Sequence, residues 1–330
     1  ALLKKAGFDL IGIFMRTWPE TQFKSWNRCC SPEAEKRARL VAAKLSIPFY
    51  SVNFEKEFEE KIINYFLQGY SLGITPNPCV LCNKEVKFGL LLEKALALGG
   101  DFLATGHYVK KKDNKLFMAK DSEKDQSYFL WQLSRNQVER TIFPLGNYTK
   151  KQVISLAKKF DLPVLGIPES QEICFIKTTV NDFLRKHLRK IRPGEIVNIK
   201  GKTLGEHFGL PFYTIGQRKG IGISGGPYYV LDKNLEKNNL IVTKNERDLY
   251  KKELIAENVN WISGKEPNLP SKIKAKIRSS QQPSLATITK NLKPKTYKLI
   301  FNRLQRAITP GQSVVFYQGK ELVGGGIIKQ

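Results

Sequence analysis

The chain reads as an α/β protein built on a parallel sheet and completed by an all-β C-terminal part. Three observations lead there. Over the first half, strand-like apolar runs alternate with amphipathic helical stretches, the pattern of a parallel sheet covered by helices. After Cys174 turn signals become dense, and from about Asn245 helical periodicity gives way to short strands, which predicts a small barrel or sandwich. At 330 residues, 41% of them hydrophobic and 11% aromatic, the chain is long enough for two or three domains with proper cores.

In chain order, Ala1 to Ala6 followed by Gly7 looks like the last turns of a helix with Gly7 as its C-terminal stop. Six residues are too few for an isolated helix, and no initiator Met precedes them, so the expectation is a chain that starts partway through its first helix. Asp9 to Met15 predicts a buried strand, and Ser31-Pro32-Glu33 opens a helix to about Leu45, with Ser31 as N-cap and Pro32 in the first helical position. A strand follows over Pro48 to Val52, then a helix from about Phe54 to Gly69. A second helix is expected to open at Asn83 and run to about Leu98, before a strand over Asp101 to Thr105 that ends at Gly106-His107-Tyr108. Thr149-Lys150-Lys151-Gln152 is a capping box for a helix to about Phe160, and a short helix is expected around Asn181 to Leu188. Strands are then predicted at Ile273 to Ile277, Thr296 to Phe301, Ser313 to Tyr317 and Leu322 to Ile328. No internal repeat or low-complexity segment interrupts this order.

No apolar run approaches the roughly 18 residues needed to cross a bilayer. The short apolar stretch after Lys4 and Lys5 is broken by Gly7 and Asp9, so no signal-peptide pattern is present, and the expectation is a soluble, cytoplasmic protein without a membrane partner. Fifty-five Lys and Arg against thirty Asp and Glu give a formal charge of +25, beyond what solubility needs and suited to a polyanion such as nucleic acid. Part of this excess would also arise in any Lys, Ile and Asn-rich proteome. Five cysteines, an odd number without a secretory signal, argue against a disulfide framework.

Three of the cysteines stand in chemically suggestive settings: Pro76-Asn77-Pro78-Cys79-Val80-Leu81-Cys82-Asn83-Lys84, and Ser170-Gln171-Glu172-Ile173-Cys174-Phe175 about ninety residues later. The Cys79-x-x-Cys82 spacing suits a redox or nucleophilic pair, half of a four-ligand zinc site, or an inert packed pair. Zinc would need further ligands, and the chain has only His107, His187 and His207, with no second CxxC. With a helix opening at Asn83, Cys82 would sit just before the N-cap, where backbone N–H groups and the helix dipole favour a thiolate, with Lys84 and Lys87 adding positive potential. Cys174 alone is equally a core residue or a nucleophile, and Cys29-Cys30 reads as structural. Gly106-His107-Tyr108 lies where ligands bind at strand ends in open α/β sheets, although a lone His is commonly a packed one. The Gly222 to Gly226 run lacks a strand-loop-helix context and reads as a hairpin. The neighbouring Arg218-Lys219 loop is a candidate contact to a nucleic-acid backbone.

Taken with Ala104-Thr105-Gly106-His107-Tyr108, Lys124-Asp125-Gln126-Ser127-Tyr128-Phe129-Leu130 and Tyr213-Thr214-Ile215-Gly216-Gln217-Arg218-Lys219-Gly220, the two cysteine segments make the chain resemble the tRNA-specific 2-thiouridylases over nearly its whole length. The resemblance implies an adenine-nucleotide α-hydrolase-like parallel-sheet domain of the ATP pyrophosphatase type (1–178), a small central domain (179–244) and a tRNA-contacting C-terminal β-barrel (245–330). It implies replacement of the C2 oxygen of the wobble uridine by sulfur, using ATP with Mg²⁺, tRNA and a persulfide sulfur-donor protein, by a monomeric enzyme. Cys82 matches the family's nucleophile and Cys174 its persulfide carrier, with a transient disulfide between them. Asn77, Pro78 and Cys79 match the segment that touches the target base, and Met15 and Gly106 match nucleotide-binding positions. His107, Lys124, Asp125, Gln126, Arg278, Ser279 and Gln312 match tRNA contacts.

Two departures stand out. The family often has Asp, with an acid/base role, where this chain has Cys79. The Ser-Gly-Gly-Val-Asp-Ser pyrophosphate loop expected just before Ala1 is absent from the chain, which would leave half of the ATP site missing. Competing readings are an inactive truncated thiouridylase, a non-catalytic RNA-binding module whose CxxC holds zinc, and a different adenylating ligase acting on a small molecule. The last needs neither Cys82 together with Cys174 nor a terminal barrel with basic loops.

Overall fold

A computed structural model describes residues 1–17, 31–163, 173–291 and 296–329. Cys29-Cys30 and Ser170-Gln171-Glu172 lie outside the described residues.

The N-terminal part begins with a helical turn at Leu2–Lys5, stopped at Gly7 (φ +87°), where Phe8 N–H reaches back to the Leu3 carbonyl. Strand β1 (Gly12–Arg16) pairs in parallel with β2 (Phe49–Asn53) across the Pro32–Lys44 helix, whose N-cap Ser31 accepts from Ala34 N–H. The 55–71 helix carries one π-helical turn at Glu59–Ile63. The helix expected to open at Asn83 instead opens at Pro78 and continues to Ala97 through a π-helical stretch, Asn83–Leu90. Proline is favoured at a first helical position because its missing N–H would be unpaired there anyway, and Asn77 (φ −108°, ψ 90°) supplies the extended residue before it. Asn83 is therefore mid-helix, 2% exposed, with its amide donated to the Phe129 carbonyl.

Strand β3 (Leu103–Ala104) is followed by a hairpin that the sequence analysis did not foresee, β4 (Lys110–Lys112) and β5 (Lys115–Phe117). Asp113 and Asn114 turn it with φ of 49° and 57°, a two-residue turn that matches strand twist. β6 (Thr141–Ile142) pairs in parallel with β3, and the capping box of Thr149 and Gln152 opens the Lys150–Lys159 helix as expected.

After the Val180–His187 helix, the central part is a four-stranded sheet of order β8-β7-β10-β9, formed by β7 (Gly194–Asn198), β8 (Thr203–His207), β9 (Tyr229–Asn234) and β10 (Asn239–Thr243). The C-terminal strands are β11 (Tyr250–Trp261), β12 (Ser271–Lys276), β13 (Ser284–Lys290), β14 (Thr296–Arg306), β15 (Ser313–Gln318) and β16 (Glu321–Ile328). They run β11-β14-β13-β12-β15-β16 and close through β16 pairing back to β11, a six-stranded barrel. Two of these strands are longer than the short ones expected, twelve residues in β11 and eleven in β14, because both bend through irregular register to serve barrel closure.

The parts are joined by shared cores. β5 pairs with β16, so the hairpin of the N-terminal part extends the barrel sheet. Trp131, fully buried, packs against Gly325 of β16, where a Cβ would lie 2.7 Å from the indole ring. Its Nε1–H donates to Ser313 Oγ at 2.9 Å, and Asn260 of β11 donates to the Trp131 and Leu133 carbonyls. The 55–71 helix shares a second core with the central sheet, through Phe58, Phe66, Ile196, Val230 and Leu240. A third core fills the barrel.

Candidate functional site

The cysteine settings converge. Cys82, 9% exposed, belongs to the core between the 55–71 helix and the central sheet, and Cys174 packs against the same cluster from a segment about ninety residues away in sequence. Phe175 anchors that segment: it is 5% exposed and meets Phe66 edge-on at 5.3 Å, Phe58 at 5.9 Å and Phe183 at 5.3 Å. A turn bond from Ile176 N–H to the Ile173 carbonyl closes around Cys174, leaving it half-buried beside the anchor. Cys79, Cys82 and Cys174 are all thiols. Because the helix opens at Pro78, Cys79 occupies the first turn and Cys82 lies one turn in. The dipole argument made for Cys82 at a helix start therefore applies to Cys79, since the effect fades beyond the first turn.

A pocket of about 490 Å³, which none of these cysteines lines, forms where all three parts of the chain meet. Asn77 and Tyr128 come from the N-terminal part, Gly216 and Gln217 from the central part, and Arg278, Ser279 and Gln312 from the barrel. The segment before Asn77 is clamped to the barrel: Thr75 N–H donates to the Pro310 carbonyl at 2.9 Å, and Gln312 Nε2 donates to the Thr75 carbonyl at 2.8 Å. Asn77, although at the N-cap, makes no capping bond; its side chain instead shares a hydrogen bond with Tyr128, whose hydroxyl donates to the Ser313 carbonyl at 2.8 Å. Burial pushes the Tyr128 phenol well above its usual range, so it stays protonated. Sequence reasoning missed Tyr128; its only signal was its place one residue after Ser127 in the Lys124 to Leu130 motif.

Other predicted site residues take different positions. Met15 is the penultimate residue of β1, and Gly106 lies exposed two residues beyond β3, so both stand toward the C-terminal ends of parallel strands. His107 is a core residue, 9% exposed, bonded through Nδ1 to Thr105 Oγ1 at 2.8 Å and packed beside Phe88 and Phe143. It supports the strand end from behind the surface. Asp125 accepts from Ala119 N–H, Ser127 N–H and Ser127 Oγ, and Gln126 exchanges bonds with both backbone groups of Tyr108. Gln126 thereby ties the loop to the Gly106-His107-Tyr108 segment, Asp125 braces the loop internally and to Ala119, and Lys124 stands half-buried. Among the described residues, no three His, Cys, Asp or Glu side chains come together as a metal-binding group.

Burial, and secondarily the charge of Lys87, hold the His107 imidazole well below its ordinary value of 6.5. The folded chain then refuses a proton that the unfolded chain accepts, so this residue's contribution is complete above about pH 6.5 and is lost as pH falls below it. The expected slope is at most about 1.4 kcal/mol per pH unit for one proton. Urea denaturation across that window should show a shallower pH slope for His107→Gln than for the wild type. Equal slopes would mean that the folded chain protonates this ring freely.

Comparison with known proteins covers the whole chain. A family model described as tRNA methyl transferase HUP domain matches residues 1–178, one described as tRNA methyl transferase PRC-barrel domain matches 181–244, and one described as aminomethyltransferase beta-barrel domain matches 251–328. The tRNA-specific 2-thiouridylase MnmA 2 of Thermoanaerobacter sp. strain X514 is 46% identical over 343 residues, covering 100% of this chain and 93% of the relative. The tRNA-specific 2-thiouridylase MnmA of Clostridioides difficile strain 630 is 46% identical over 339 residues with the same coverage. That of Halothermothrix orenii is 45% identical over 340 residues, with 100% and 94% covered.

Proposed function

The chain belongs to the tRNA-specific 2-thiouridylase family, and from that premise we propose that it replaces the C2 oxygen of the wobble uridine of tRNA with sulfur, in the cytoplasm. The observation that supports this reading is that Cys82 lies in, and Cys174 packs against, one core. Methyl transfer, which two of the family descriptions mention, gives no reason for two distant thiols to converge.

A uridine C2 oxygen is a poor leaving group. Adenylation by ATP converts it into one that departs as AMP, after pyrophosphate has left in the first step. Met15 and Gly106 would face that nucleotide from the strand ends, and Mg²⁺ would arrive bound to its phosphates. Cys174 would carry the transferable sulfur as a persulfide received from a donor protein. The Cys82 thiolate would attack the inner sulfur of that persulfide, forming the Cys82–Cys174 disulfide and releasing the outer sulfur as a nucleophile at C2, while the carbon–oxygen bond to AMP breaks. The disulfide must then be reduced by an external thiol before the next cycle. Asn77, Pro78 and Cys79 would meet the target base, which must leave the anticodon stack to be reached. Tyr128 suits this role for Asn77 because it holds the carboxamide away from the helix cap.

The parts corresponding to 1–178, 179–244 and 245–330 would divide the work into activation, closure over the arm and RNA grip, within a monomer. Arg278, Ser279 and Gln312 at the pocket rim suit the last task, and Lys124 at the edge of its loop can reach RNA more readily than buried His107. The gene should restore 2-thiouridine to tRNA in a bacterium lacking its own wobble-uridine thiolase, read by mass spectrometry of hydrolysed nucleosides. Unmodified uridine despite stable expression would overturn the proposal.

A further inference from the structure

At the corner between the central part and the barrel, two guanidinium groups face the same point in space. Arg278 follows β12 by two residues and Arg306 ends β14. Both are half-buried, and both approach Gly216, where a Cβ would stand 3.5 Å from Arg306 Nη1 and 3.7 Å from Arg278 Nη2. Gly216 has φ +83°, and the same Cβ would lie 2.6 Å from that of Ala307, so only glycine lets the loop approach the pair this closely. The approach is fixed from both sides: Gly216 N–H donates to the Val230 carbonyl and Ala307 N–H to the Leu249 carbonyl, at 2.8 Å each.

The charges around this point do not balance. Arg278 donates Nη2–H to the Ala307 carbonyl at 3.1 Å, and among the described residues no carboxylate lies within ion-pair reach of it. Burial and the like charge of Arg306 both work against its own charge. Arg306 does have a partner, Glu246, whose Oε1 accepts from Nε at 2.7 Å; its side chain is 30% exposed and that of Glu246 47%. Two like charges held together by backbone-locked turns are unfavourable until an anion lies between them, and guanidinium forks match the oxygens of a phosphate. Arg218 and Lys219 continue from Gly216 on the same loop, and the Ser279 and Ser280 side chains are exposed beside Arg278.

We propose that Arg278 and Arg306 form a clamp for one backbone phosphate of the substrate RNA, occupied at rest by Glu246 on the Arg306 side, and that the phosphate displaces this carboxylate when the RNA seats. This rests on the reading that tRNA is the substrate. In it Glu246 acts as an internal competitor that weakens RNA binding, and Arg306 is a binding residue in its own right.

Binding of the full-length chain to an unmodified transcript of a tRNA with a wobble uridine, followed by fluorescence anisotropy over a range of NaCl concentrations, tests this directly. Arg306→Gln should weaken binding about 5- to 10-fold and lower the slope of log affinity against log salt by about 1, as expected for one lost phosphate contact. Glu246→Gln should tighten binding several-fold, a gain that misfolding cannot produce. In the double variant that gain should vanish, leaving the affinity of Arg306→Gln. Any other pattern across the three variants, in a wild-type background that binds the transcript, overturns the clamp and leaves the substrate reading intact. A wild-type chain that does not bind the transcript overturns both.

Discussion

Replacing Cys174 with serine is expected to lower 2-thiouridine formation by at least about 10³-fold, because a serine hydroxyl cannot form the sulfur–sulfur bond that carries the transferred atom. Cys82→Ser should be as inactive in turnover, for a different reason. It should still accept sulfur on Cys174 and then stall, since no thiolate remains to free the outer sulfur by forming the disulfide. Intact mass after incubation with a persulfide donor separates the two: an added sulfur atom on Cys82→Ser, and none at this position in Cys174→Ser. The double variant should be no worse than Cys174→Ser alone, because two groups that act in one step do not contribute additively. The packing supports this pairing. Cys82 lies in a core anchored by Phe175, and Cys174, the residue before Phe175, packs against the same core. Wild-type turnover by both single variants would remove the thiols from the mechanism and leave their convergence as packing.

Trp131→Ala is expected to cost about 3–5 kcal/mol of folding stability. Trp131 is fully buried, its indole fills the space that Gly325 leaves open on β16, and its Nε1–H satisfies Ser313 Oγ. Truncation therefore leaves both a large cavity and an unpaired hydroxyl. Because the side chain belongs to the N-terminal part and its partners to the barrel, the loss should also separate their unfolding. Urea denaturation should show a lower midpoint and a second transition, and tRNA affinity should fall as Arg278 and Gln312 lose their fixed relation to Asn77. A cost below about 1 kcal/mol with a single unchanged transition would mean that the β5–β16 pairing and the Asn260 bonds hold the parts together without the indole.

Much of the fold was legible because it depends on neighbours in sequence. Ser31 caps its helix as its position before Pro32 implied, Thr149 and Gln152 form the reciprocal box, and Gly7 stops the first helix with positive φ. The predicted barrel strands fall where their alternation placed them, since one face of each is buried in a common interior. The error at Asn83 has a local cause too. Asn is a good cap in the abstract, but Pro78 offers a better first helical position five residues earlier, and the π-helical stretch absorbs the register through Asn83. The β4–β5 hairpin had a signal in Asp113-Asn114, two residues that tolerate the left-handed region, yet its Lys-rich strands gave no apolar alternation to announce it.

By itself, the sequence determined most helices of the N-terminal part, the caps at Ser31 and Thr149, four of the barrel strands, and the family to which the chain belongs, because these follow from interactions a few residues long or from motifs read as strings. Only the tertiary structure decided that Cys82 and Cys174 share one core, that His107 is buried, that Tyr128 holds Asn77, and that Arg278 and Arg306 meet over Gly216. Each of these joins residues separated by tens of positions. Which of them meet is set by how three cores pack against one another, and no local preference of the chain carries that information.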